Sequence, residues 1–111
     1  MTTIVIPIFE NRISNRLDCS DNILLISIEN GSVNKRQTFY WAPAKPLEKI
    51  NLLLHLKVNV LICDGITEFY SSQLKNTPIQ VIPWISGEVD EVLARYLDGK
   101  LTDQIISCNG E

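Results

Sequence analysis

Residues 58–101 read VNVLICDGITEFYSSQLKNTPIQVIPWISGEVDEVLARYLDGKL, and this stretch limits the chain to few architectures. A short apolar run at 58–63 ends in the Asp64-Gly65 turn, and a helix-like segment follows. Thr67 is placed to cap that helix, with Glu68 in its first turn, where the positive end of the helix dipole favours a carboxylate. Pro78 stops the helix and launches a second apolar run at 79–82. After Pro83-Trp84, Ser86 and Gly87 offer a cap for a last helix. Its Val89, Val92, Leu93, Tyr96 and Leu97 recur at the spacing of one helix face, and Gly99 supplies the left-handed stop. Strand–helix–strand–helix with short apolar strands is the pattern of parallel strands joined by crossover helices.

The first half reads as antiparallel. Residues 4–8 form a short strand, with Pro7 demoting one end toward a sheet edge or a strand exit. Residues 10–22 lack periodicity and are rich in Asn, Ser and Asp, so they read as a loop. A second strand at 22–29 meets Asn30-Gly31, a strong hairpin signal. The strand returns over 32–41 with Val33, Lys35, Gln37, Phe39 and Trp41 on one face. Pro46 opens a helix to about residue 56, with Leu47, Ile50 and Leu54 as its stripe, widened by Leu53. A helix this apolar is covered on two sides or shared with a second copy of the chain. The element order is βββαβαβα. It predicts an α/β protein with a mixed five-stranded sheet and flanking helices, a ribonuclease-H-like arrangement.

At 111 residues the chain fits one domain, 1–111, with 102–111 as a mobile tail. A net charge of −3 argues against a nucleic-acid partner. The apolar run at 4–8 is too short for a signal-peptide core, and nothing approaches the ~20 apolar residues of a membrane span. Cys19, Cys63 and Cys108 are odd in number and far apart, which fits a reducing compartment better than a disulfide framework. The expected setting is cytoplasmic, with no membrane.

The order of 58–67, Ile79-Gln-Val-Ile-Pro-Trp84, Ser86-Gly-Glu-Val-Asp-Glu-Val-Leu93 and Tyr96-Leu-Asp-Gly99 resembles the dinitrogenase iron–molybdenum cofactor biosynthesis family. The likeness extends to residues 4–8, Ile13-Ser14 and Glu29-Asn-Gly31. It implies a ribonuclease-H-like fold without nuclease chemistry and a nitrogenase accessory role. It also implies an iron–sulfur or iron–molybdenum-type cluster as ligand, and a metalloprotein client. Two departures stand out. Arg16-Leu17-Asp18 occupies the place of the His-Phe-Gly motif that cluster-handling relatives often carry, and Cys63-Asp64-Gly65-Ile66-Thr67 carries a carboxylate in a turn that often reads Cys-Gly-Ala-Ile-Ser.

The candidate ligand cleft lies between the loop holding Asp18 and Cys19, the turn with Cys63, Asp64, Gly65 and Thr67, and the segment with Trp84, Ser86 and Gly87. Ligands of open α/β sheets bind beyond the carboxyl ends of strands. Cys19 and Cys63 are the candidate metal ligands, since soft thiolates suit iron. The other reading of Cys63 is a small apolar core residue. Trp84 either walls the cleft or packs over the sheet end. His55, the one histidine, sits on a helix flank and reads as a surface residue. No nucleophile–base set is evident, so the chain reads as a non-catalytic accessory or binding domain. The alternative is a structural or interaction module that has lost its ligand, assembling through its first helix.

Overall fold

A computed structural model describes residues 1–99. Its central strand is β1 (Thr2–Phe9), whose Ile4, Val5 and Ile6 are fully buried on alternating faces. The remaining elements are β2 (Arg12–Ile13), β3 (Asn22–Glu29), β4 (Ser32–Tyr40), α1 (Pro46–His55), β5 (Val60–Ile62), α2 (Glu68–Lys75), β6 (Gln80–Ile82) and α3 (Val89–Leu97). The sheet runs β4-β3-β1-β5-β6. β3 is antiparallel to β1 and to β4, while β5 and β6 run parallel with β1.

The sheet has six strands rather than five. The extra one, β2, pairs with the end of β1 through a two-residue turn at Glu10 and Asn11, with Glu10 at φ 56°. Ile13 thereby lies opposite Ile8 and joins the core. A two-residue strand carries no alternation, which is why it reads as loop from sequence. Pro7 is buried inside the central strand, not at an edge. It lies past Ile4 and Val5, the residues of β1 that pair with β5, and its carbonyl accepts from Ser14 N at 2.9 Å.

The pleat sends alternate residues to two cores. Ile4, Ile6, Ile26, Val60, Ile62 and Ile82 pack under Val89, Val92 and Leu93 of α3. On the opposite face Val5, Ile23, Leu61 and Cys63 meet Ile50 and Leu53 of α1, Tyr70 and Leu74 of α2, and Trp41. Each large apolar side chain taken fully from water contributes about 1.5–3 kcal/mol. The stripe expected on α1 is rotated: Leu47 and Leu54 are exposed, whereas Leu52 and Leu56 pack against the core. Lys49 takes a place on the buried face of α1 with Ile50 and Leu53. His55 is exposed.

Asn30 and Gly31 both take positive φ (55° and 78°), as a two-residue hairpin of type I′ requires. A register shift in β4 pairs Ser27 with Lys35 and Ile28 with Val33. Val33 therefore lies on the α3 face, away from Lys35, Gln37 and Phe39, which the plain alternation had put together. No helix of the described residues is long and apolar enough to cross a membrane. The tail expected at 102–111 and Cys108 lie outside the described residues.

The two caps differ. Thr67 Oγ1 accepts from Tyr70 N at 3.4 Å at the start of α2, whereas α3 is preceded by Glu88 with no side-chain cap, so Ser86 does not cap it. Thr67→Ala should lower the unfolding free energy by about 1 kcal/mol. Ser86→Ala should change it by less than about 0.5 kcal/mol. Urea denaturation of the two variants checks both.

Candidate functional site

Because β1, β5 and β6 are parallel, their carboxyl ends deliver three segments to one edge of the sheet. Backbone bonds stitch them together. Leu17 N donates to Gly65 O and Gly65 N donates to Asn15 O, both at 2.8 Å. Ile13 N donates to Gly87 O at 3.0 Å, Val89 N to Asn11 O at 2.9 Å, and Trp84 N to Asp64 O at 3.0 Å. The convergence expected from sequence is thus present, but it is made by main chain. Gly65 is needed for close approach: a Cβ there would lie 2.8 Å from Asn15 O.

The loop between β2 and β3 is fixed from below. Trp41 Nε1 donates to Ser20 O at 3.0 Å and lies 3.1 Å from Ser20 Oγ. The Ser20 hydroxyl donates to Leu17 O at 2.9 Å. Lys49 Nζ lies 5.1 Å from the centre of the Trp41 ring and donates to Asp18 O at 3.3 Å. A buried ammonium needs such partners, here an aromatic face and a carbonyl. Leu17, fully buried, anchors the loop's apolar side.

What this scaffold presents is a cleft of about 460 Å³, lined by the segment 12–16 together with Phe9 and Cys19. Arg16 Nε and Nη2 grip Asp18 at 3.1 and 2.9 Å. The Arg12 side chain makes no hydrogen bond or ion pair with the other described residues. The Cys19 thiol is exposed and donates to Asp18 Oδ2 at 3.7 Å. Burial, with the charges of Asp18 and Cys19 adding to it, raises the Tyr70 phenol above its ordinary value.

The residues singled out from sequence separate into different roles. Cys19 lines the cleft. Asp18 is committed to Arg16. Cys63 is fully buried in the core beneath the turn. Burial, with Asp64 beside it, pushes its thiol from about 9 up to about 12, so it stays protonated and the core alternative fits it. Gly65 and Gly87 act through their backbones, Asp64 through its carbonyl, and Thr67 as a cap. Ser86 is exposed. Trp84 neither walls the cleft nor packs over the sheet: it is 69% exposed at φ 64°. The lining residues missed from sequence are Phe9, Arg12, Ile13, Ser14, Asn15 and Arg16. Two arginines four apart within a run of Asn, Ser and Asp were the signal for them.

An iron–sulfur cluster resident in a protein is ordinarily held by about four ligands, mostly cysteine. Among the described residues no group of three or more His, Cys, Asp and Glu is placed to hold a metal ion, and Cys19 is the one exposed thiol. The described donors of a single chain therefore do not fit a resident cluster.

No family model matches this chain. It is similar to the uncharacterised protein MJ0580 of Methanocaldococcus jannaschii, 24% identical over 103 residues, covering 88% of this chain and 87% of that protein. Its structure resembles that of PH0822, with TM-score 0.81 and 17% identity over 89% of this chain and 93% of the other. It also resembles MJ0327 of Methanocaldococcus jannaschii, provisionally described as a dinitrogenase, with TM-score 0.74 and 18% identity over 88% and 89% of the two chains. A Thermotoga protein of the DUF35 family, provisionally described as NifB, superposes at TM-score 0.68 with 20% identity over 90% of each chain. At these identities the likeness shows a shared fold.

Gly65→Ala should lower stability by about 1–3 kcal/mol, because the Asn15 carbonyl has to move. Urea titration measures the loss, and loss of protection at the Leu17 amide in hydrogen exchange locates it. The thiols should differ as well. Iodoacetamide at about pH 8 should alkylate Cys19 and spare Cys63, read by peptide mass mapping. The raised Cys63 value makes its share of stability whole below about 9 and lost as pH climbs through about 12. Over that window the unfolding free energy of the native chain should fall more steeply than that of Cys63→Ala.

Proposed function

We propose that this chain is a non-catalytic accessory domain of the nitrogenase-cofactor type, which holds an anionic cargo in the cleft above residues 12–16. The observation that carries this is an exposed thiol, Cys19, set in a cleft beside two guanidinium groups at the carboxyl ends of parallel strands. Two of the similar folds carry nitrogenase-related descriptions, dinitrogenase and NifB, which supports the same setting for this one. Setting β2 aside, the order β4-β3-β1-β5-β6 with β3 reversed supports the ribonuclease-H-like reading of the sheet.

In this reading an iron–sulfur or iron–molybdenum-type cluster is cargo, arriving with its own sulfide and external ligands. Cys19 supplies a single thiolate. Arg12 and Arg16 answer the negative charge such a cluster carries. Cys63 takes no part, since its buried thiol stays protonated. Asp18 holds Arg16, and Lys49 holds the carbonyl of Asp18, so the loop is formed before cargo arrives.

A second reading is favoured by one observation. The exposed aromatic residues among those described, Phe9, Tyr40, Phe69 and Trp84, all lie at the end of the sheet that bears the cleft. Aromatic side chains of this kind anchor protein interfaces, so an interaction module with a protein client is the alternative. The exposed Leu47 and Leu54 of α1 keep assembly with a second copy within that alternative.

Anaerobic incubation with iron and sulfide, followed by absorption spectroscopy and metal analysis, separates the readings. The cargo reading expects charge-transfer bands that Cys19→Ser abolishes and Cys63→Ser leaves in place. Absence of bands in the unaltered chain, with substoichiometric iron, would favour the interaction module.

A further inference from the structure

We infer that the cleft over Arg12 and Arg16 binds a small organic oxyanion, a carboxylate or phosphate carried on an apolar or aromatic body. The inference rests on the cleft being the ligand site, and it does not require the ligand to contain metal.

The cleft's volume of about 460 Å³ falls within the ~300–1,000 Å³ of small-molecule sites. Its lining is mixed in a specific way. Phe9 and Ile13 give it apolar surface, Ser14 and Asn15 bring a hydroxyl and a carboxamide, and no Asp or Glu lines it. The Arg12 guanidinium has no hydrogen-bond or ion-pair partner among the described residues, which leaves its fork of donors open toward a ligand. Arg16 is gripped through Nε and Nη2, which leaves Nη1 unengaged and holds the plane of the guanidinium in place. Planar two-pronged donors suit carboxylate and phosphate oxygens. Arg12 and Arg16 against Asp18 leave one net positive charge beside the opening.

A competing pull exists. Arg12 also borders a neighbouring groove lined by Glu10, Glu88 and Glu91, and its backbone bridges that of Glu88. No ion pair with these carboxylates forms, although they are the charges that face Arg12 from the β1–β2 turn and from α3. They lower the cleft's attraction for anions and set a direction: neutralising Glu88 should strengthen anion binding.

The probes are inorganic phosphate, benzoate and phenyl phosphate, with neutral benzamide as control, added to the 15N-labelled chain at fixed ionic strength. Expected are localised amide shifts at Phe9, at residues 12–16 and at Cys19 with benzoate or phenyl phosphate, and weaker ones with phosphate. Whichever of those two binds tighter assigns the oxyanion. Arg12→Gln should weaken binding by at least about tenfold, the scale of one charged hydrogen bond, while shifts elsewhere confirm that the fold is kept. Phe9→Ala should weaken phenyl phosphate and spare phosphate, and Glu88→Gln should tighten both. The inference is overturned if no oxyanion gives localised shifts up to about 10 mM. It also falls if Arg12→Gln binds as the unaltered chain does, or if benzamide matches benzoate. Iron reconstitution is scored separately. Localised anion binding without iron uptake removes the cluster cargo and keeps this site. Cys19-dependent iron uptake without anion binding does the reverse.

Discussion

Gly65 exchanges two backbone hydrogen bonds with the segment running from Asn15 to Leu17, and the open end of the sheet is built around that exchange. The segment leaves β2 on one side of the sheet end and has to cross toward β5. Its polar backbone would be stranded without partners at that point. A glycine at the β5 turn lets the two main chains approach until both bonds form. Once they have formed, Arg16 projects beside Arg12, Leu17 is driven into the core, and Cys19 is carried to the cleft.

The same loop is held on its other side by a small polar network within the α1–α2 core. Trp41 uses its one N–H on Ser20, and Lys49 lays its ammonium over the Trp41 ring while reaching the Asp18 carbonyl. A lysine buried to 5% exposure is costly unless its charge is answered. Its partners here belong to the loop that borders the cleft and to the residue that supports that loop. Lys49 thus links the buried face of α1 to the loop that borders the cleft.

The two described cysteines, Cys19 and Cys63, illustrate how burial divides chemistry. Both lie near the carboxyl end of the sheet, and sequence spacing treats them alike. Cys63 is sealed beneath the turn among Trp41, Tyr70 and Leu74, where a thiolate has no solvation, so its proton stays on. Cys19 is on the surface beside a carboxylate and two guanidinium groups. Of the two, Cys19 is therefore the thiol open to reagents from solvent.

The amino-acid sequence by itself determined the long elements. The Asn30-Gly31 hairpin, the Thr67 cap, Pro78 as breaker, the apolar face of α3 and its Gly99 stop are local signals, each resting on backbone conformation or on periodicity within a few residues. The convergence of three segments at the ends of parallel strands was also legible, because it follows from topology. Tertiary structure decided the rest. A two-residue strand has no periodicity to read, so β2 emerges only when Ile13 finds Ile8. α1 buries Lys49 with Ile50 and Leu53 and leaves Leu47 and Leu54 exposed, against its own apolar pattern. The cleft's occupants, Arg12 and Arg16, owe their positions to bonds with Gly65 and Gly87, which lie about fifty and seventy residues away along the chain. Spacing within a sequence carries no distance between such segments; packing supplies it, because buried main-chain groups have to find partners.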